Sequence, residues 1–125
     1  MKNYIRRVFY STSDLGKGFD RKIYLLNQKG EKISFWNDVP LRDPTQKPDI
    51  FNAVIEIPRY TIAKLELARD EPFHPLMHDR RQNLFNPKIT ELRSYAQYGF
   101  FNYGFIPQTW ENMLIPNKEV HNLLV

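Results

Sequence analysis

Between Ile50 and Arg69 the chain alternates twice. In "IFNAVIEI" (50–57) the even positions put Ile50, Asn52, Val54 and Glu56 on one side of an extended strand, and Phe51, Ala53, Ile55 and Ile57 on the other. In "IAKLELAR" (62–69) Lys64 and Glu66 share one side, while Ala63, Leu65 and Leu67 share the opposite one. "PRYT" turns the chain between the two runs. A period of two gathers apolar residues on a sheet face and scatters them around a helix, so both runs read as strands. Paired antiparallel through that turn, they would set Glu56 and the Lys64–Glu66 pair on one face of one sheet.

The flanking segments point the same way. "RKIYLLN" (21–27), "QKGE" and "KISFW" (32–36) read as strand, turn and strand, with Gly30 in the turn. "NDVPLRDPTQKPD" (37–49) carries three prolines and alternating charges and reads as a loop. "DEPFHPLMHDRRQNLFNP" (70–87), punctuated by Pro72, Pro75 and Pro87, reads as irregular. "KITELRSYAQYGFFNYGFI" (88–106) returns to sheet-forming residues broken by Gly99 and Gly104. No internal repeat or low-complexity tract occurs. Every clear element is a strand, which predicts a small, largely β, barrel-like unit. At 125 residues it is one domain or part of one.

Composition limits the function classes. With no cysteine, disulfides and thiolate metal sites are excluded. No apolar run approaches the ~18–20 residues that cross a bilayer as a helix. Eighteen basic against fourteen acidic residues leave a net charge of +4, which favours anionic partners without choosing among phosphates, nucleic acid and acidic lipid. The basic start, "MKNYIRRVFYSTS", has the composition of a short mitochondrial presequence, although a frayed basic terminus fits it as well.

Three constellations could carry chemistry. His74 and His78 have the spacing of two metal ligands on one helical turn, but Pro72 and Pro75 oppose a helix there and loop histidines are the better reading. "SYAQYGFFNYGF" (94–105) interleaves rings with glycines: stacking platforms for single-stranded nucleic acid, or the filling of a barrel. Glu56, Lys64 and Glu66 are either the wet face of a hairpin or a pocket where carboxylates hold divalent cations and Lys64, with Arg93, takes phosphoryl oxygens. Phosphoryl transfer needs that mixture, because metals and basic groups must neutralise the equatorial oxygens while a water attacks in line.

Four blocks, in order, resolve the choice by resemblance. "FWNDVPL" (35–41), "FNAVIEIPR" (51–59), "IAKLE" (62–66) and "NYGFIPQTWE" (102–111) resemble the N-terminal half of a soluble, eukaryotic-type inorganic pyrophosphatase, over roughly residues 20–111. The resemblance implies a highly twisted, OB-like, five-stranded β-barrel with the first hairpin packed against it. It implies magnesium-dependent hydrolysis of inorganic diphosphate, a possible homodimer, no membrane and no nucleic acid, in the cytoplasm or alternatively a mitochondrion. By the same resemblance Glu56 and Glu66 are the active-site glutamates, and Lys64, Arg93 and Tyr103 bind substrate phosphates. A further catalytic tyrosine of the family falls here at Gly99; by the resemblance Tyr98, one place away, is the candidate for that role, with Phe100 in its place if a residue has been deleted.

A larger departure concerns metal. Shortly after P-Q-T-W-E the family presents a D-x-D-P-x-D loop that binds the catalytic magnesium ions, and no such loop occurs in these 125 residues. The expectation is therefore an incomplete barrel with no metal ligands of its own, inactive alone and truncated before the aspartates. It divides into a basic N-terminal extension (1–19), the barrel portion (20–111) and a divergent tail (112–125). The competing expectation is a non-catalytic barrel that binds phosphate or single-stranded nucleic acid, which needs no aspartate loop.

Overall fold

A computed structural model of the chain describes residues 11–43, 47–110, 112 and 114. Apart from a single 3₁₀ turn at Gly18–Asp20, its regular structure is all strand: β1 (Ser11–Leu15), β2 (Lys22–Leu26), β3 (Lys32–Ile33), β4 (Val54–Ile57), β5 (Leu65–Leu67), β6 (Leu76–His78), β7 (Arg80–Gln82), β8 (Thr90–Leu92) and β9 (Tyr103–Phe105). Every pairing is antiparallel. A five-stranded sheet runs β1-β2-β6-β5, with β3 also on β2; β4-β9 and β7-β8 are separate two-stranded ribbons. The fold is mainly β, as the sequence predicts, and the described residues do not close a barrel.

The first hairpin forms with Leu25 opposite Ile33 and Leu26 opposite Lys32. Gly30 turns it at φ +79°, a conformation that only glycine enters without steric cost. Its second strand stops after two residues because Ser34 starts a side-chain-capped turn. The Ser34 hydroxyl accepts the N–H groups of Trp36 and Asn37 at 3.0 and 2.9 Å, and Asp38 accepts the Ser34 N–H at 2.7 Å. Those local bonds compete with the ladder and win.

Two expectations need correction. The runs 50–57 and 62–69 hold the shorter strands β4 and β5, which do not pair with each other: β4 pairs with β9, and β5 pairs with β6. Residues 70–87 are not wholly irregular. Despite Pro75 beside it, β6 lies in the middle of the large sheet, with Lys22 and Ile23 opposite Met77 and Leu76 on one edge and Leu65–Leu67 on the other. Proline is tolerated there because it sits outside the three paired residues. Ahead of β2, β1 pairs with it over five residues, and Asp14 accepts Nε and Nη2 of Arg21 at 2.7–3.1 Å. The expected tail, apart from Asn112 and Leu114, and the presequence-like residues 1–10 lie outside the described residues.

The core lies between the large sheet and the β4–β9 ribbon. Leu25, Phe35, Val39, Val54 and Leu76 are buried together, with Ile23, Ile33, Leu67 and Phe105 packed against them. Ile23 and Leu25 share one face of β2, as their spacing of two requires. Each fully buried aliphatic side chain of this kind stabilises the fold by roughly 1.5–3 kcal/mol. Val54 and Phe105 thus fix the ribbon on the sheet and carry Glu56 to the edge of β5.

Candidate active site

Strand β4 aims Glu56 inward. Val54 faces Phe105 and Ile55 faces Gly104, but the next paired residue is Ile57, opposite Tyr103, so Glu56 is the extra residue of a bulge. The bulge breaks the alternation: Val54, Glu56 and Ile57 are all buried while Ile55 is exposed. Strand β9 can approach this closely only at a glycine, because a Cβ on Gly104 would lie 1.8 Å from the Val54 carbonyl oxygen. Glu56 Oε1 accepts the Leu67 N–H at 2.8 Å, so a side chain, in place of a backbone ladder, ties β4 to β5. Burial raises the Glu56 pKa, and the Glu66 charge adds to that; the Leu67 N–H and Lys64 act against it.

Next to it, Lys64, Asp79 and Arg93 are joined in a closed ring. Lys64 N–H donates to the Arg93 carbonyl (3.2 Å), Arg93 N–H to the Asp79 carbonyl (2.9 Å), and Asp79 N–H to the Lys64 carbonyl (2.8 Å). The side chains repeat the connection. Asp79 Oδ2 accepts Lys64 Nζ and Arg93 Nη1, each at 2.6 Å, while its Oδ1 accepts the Arg80 N–H at 2.6 Å. Lys64 Nζ also donates to Glu66. Burial alone would push Asp79 up, but the bonds from Lys64 and the Arg80 N–H, with the nearby Arg93 charge, hold its carboxyl below the usual range. Lys64 is raised for the matching reason, its desolvation outweighed by Asp79 and Glu66.

Lys64 is shared between Asp79 and Glu66, so the part of this cluster left for an anion is the outer edge of Arg93. Arg93 spends one nitrogen on Asp79 and is 43% exposed, whereas the Lys64 and Asp79 side chains are only 17% and 16% exposed. The exposed guanidinium edge can grip a phosphoryl group in two places, which an ammonium cannot do.

The structure therefore gathers Glu56, Lys64, Glu66 and Arg93 around β5, while Tyr98 and Tyr103 face a neighbouring cleft. Tyr103 and Tyr98 both line an aromatic cleft of about 460 Å³ beside Ile57, and Phe100 lines it too. Tyr103 belongs to the strand paired with β4, so it borders the acidic end of the site. Asp79 is the residue that sequence reasoning missed. Its signal was indirect: two half-buried cations need a buried counter-charge. The two histidines serve the scaffold. The Ser34 hydroxyl, already accepting two N–H groups, gives its proton to His74 Nδ1 at 2.8 Å, and His78 Nε2 donates to the Arg93 carbonyl at 2.7 Å.

A divalent metal, which the resemblance implies, does not fit these side chains alone. Among the described residues no three acidic or imidazole groups come together as a cage. Asp79 already accepts three bonds, from Lys64, Arg93 and the Arg80 N–H, and Glu66 is held by Lys64. A hard cation needs six or more oxygens.

An antiparallel β protein with a carboxylate-bridged lysine–arginine pair and a buried glutamate is what fold and site define. The family model described as inorganic pyrophosphatase matches residues 53–122, which span all of these residues. The chain belongs to the inorganic pyrophosphatase family. It is 36% identical over 104 residues to the chloroplastic soluble inorganic pyrophosphatase 6 of Arabidopsis thaliana, covering 83% of this chain and 31% of that protein. It is 34% identical over 133 residues to the mitochondrial inorganic pyrophosphatase 2 of Mus musculus, covering 90% and 39%. The type I inorganic pyrophosphatase of Toxoplasma gondii superposes with a TM-score of 0.74 at 35% identity, over 89% of this chain and 47% of that one. The chain spans about a third of the length of the curated relatives it matches. Among its described residues no helix is long and apolar enough to cross a membrane.

Proposed function

We propose that these residues form the diphosphate-binding part of a magnesium-dependent inorganic diphosphatase. The carboxylate-bridged cation pair carries this reading: Lys64 and Arg93 are held side by side by Asp79, with guanidinium edge left for an anion. In the proposal Lys64 and Arg93 take phosphoryl oxygens, as does Tyr103 from the neighbouring strand. Glu56 and Glu66 sit on the acidic side, where each can accept a proton from a water, and Tyr98 borders them from the cleft. Magnesium would neutralise the diphosphate and lower the pKa of an attacking water, on ligands that the described residues do not supply. A cytoplasmic location and a homodimer complete the reading, on the strength of family membership.

Binding and turnover test separate parts of it. The 125-residue chain should bind inorganic diphosphate, seen as a shift of its ³¹P resonance, and Lys64→Ala or Arg93→Ala should weaken binding by tenfold or more, as loss of a charge-assisted contact does. Hydrolysis by the same chain in millimolar magnesium should stay far below ~1 s⁻¹, the low end of ordinary enzymes. Binding untouched by both substitutions would place the anion elsewhere. Turnover sensitive to Lys64→Ala would mean that the metal site is complete without the aspartate loop.

A further inference from the structure

The aromatic cleft and the cation pair lie on one ribbon. Ala63 and Ser94 form an antiparallel bridge, flanked by Lys64 N–H on the Arg93 carbonyl and Tyr95 N–H on the Ile62 carbonyl at 2.8 Å. Lys64 is thereby opposite Arg93, and Ile62 opposite Tyr95; alternation sends all four side chains to one face and Ala63 and Ser94 to the other. Tyr95 follows Arg93 by two residues, about 7 Å along an extended chain. At that end the cleft opens. Its volume of about 460 Å³ falls among small-molecule sites, and rings of Tyr95, Tyr98, Phe100, Phe101 and Tyr103 line it, with Thr61 and Gln97 as its polar groups. All five rings are more than 40% exposed.

Cations for a phosphate and flat rings for a planar group, one ribose-length apart on the same face, are the two halves of nucleotide recognition. We propose that the cleft is a base-binding site, and that the ligand joining it to Lys64 and Arg93 is a nucleoside diphosphate. This rests on the phosphate-binding reading of those two residues and extends it. The base stacks against Tyr95 and Phe101, Gln97 and Thr61 offer hydrogen bonds to its edge, and the terminal phosphates lie on the guanidinium. Stacking of one base on aromatic side chains is worth ~1–3 kcal/mol, so the base should improve affinity about 5- to 150-fold over the phosphates alone.

The test compares ADP, inorganic diphosphate and adenosine on the full 125-residue chain by calorimetry. ADP should bind at least fivefold tighter than diphosphate, and adenosine far more weakly than ADP. Tyr95→Leu, which keeps apolar volume but removes the ring, should bring ADP down to the diphosphate value without changing diphosphate affinity. Phe101→Ala, at a half-exposed position, repeats the test where folding is not at stake. Diphosphate binding with no advantage for ADP would overturn the base site and leave the phosphate site standing. Failure of both ADP and diphosphate to bind would overturn the phosphate reading, and the base site with it. Adenosine binding as tightly as ADP, unaffected by Lys64→Ala, would overturn the link between the cleft and the cations.

Discussion

The large sheet and the β4–β9 ribbon are built from the same kinds of residue, yet they are covered very differently. On the sheet, Leu25 and Leu76 are buried with Phe35 and Val39, and the partly buried Ile23 and Leu67 pack against them. On the ribbon only one side is covered. Val54, Ile57 and Phe105 turn inward, while Ile55, Tyr103, Phe100 and Phe101 stay 40–79% exposed. Both edges of the large sheet's central strands are paired, whereas β4 and β9 have only each other. A ribbon of two strands is marginal in water unless something packs on it. The lesson is that stability is concentrated on the packed sheet, while the open aromatic side, with the exposed edge of Arg93 on the same face as Tyr95, is where a ligand can be received.

Substitutions can break that contrast. The largest effect is expected at Leu76→Ala, which empties the packed side and should cost about 2–5 kcal/mol in urea unfolding; a loss under about 1 kcal/mol would mean that the sheet is as loosely covered as the ribbon. Asp79→Ala comes next. It leaves Arg93 and the 17%-exposed Lys64 without their shared carboxylate, with only Glu66 still on Lys64, and should cost on the order of 2–4 kcal/mol. The pH profile sharpens this. Asp79 is held below its ordinary value of 3.8, so its stabilisation is present above that pH and is lost as pH falls through the lower folded value. The wild-type chain should therefore lose stability on acidification in a window that Asp79→Ala no longer shows.

Glu56→Gln should have a smaller effect of the opposite sign. Because burial raises the Glu56 pKa, the folded state binds this proton more tightly than the unfolded one, and stability falls as pH rises from 4.5 through the folded value. The glutamine amide would keep an oxygen for the Leu67 N–H and carry no charge, so the substitution should raise the neutral-pH melting temperature by a few degrees, the scale of ~1 kcal/mol. A lower melting temperature would show that the carboxylate is better solvated than its burial indicates. The smallest effect, within about 0.5 kcal/mol, is expected for Phe101→Ala on the open side. A core-sized loss there would erase the contrast altogether.

How much of this was legible in the sequence depended on distance along the chain. The strand character of 54–57 and 65–67 follows from alternation, and so does the shared side of Lys64 and Glu66. Gly104 was visible as a break in a sheet-like run, though its reason, the contact with the Val54 carbonyl, was not. Partners were illegible. Periodicity cannot say that β4 chooses β9, far along the chain, over β5 next door. Strand β6 was hidden by Pro72 and Pro75, and β1 by its hydroxyl-rich composition, because both owe their existence to β2 as a template. Asp79 stayed hidden for the same reason: its role exists only after three remote segments have met.

That meeting has a kinetic consequence. A ladder of hydrogen bonds has ends and can fray from them, but the ring through Lys64, Asp79 and Arg93 has no end. Displacing any one segment breaks two of its three bonds at once. The three amides should therefore open as one event and exchange with solvent deuterium at a common rate, whatever the tempo of the strands on either side. The positive charges keep their spacing for as long as that one gate is shut.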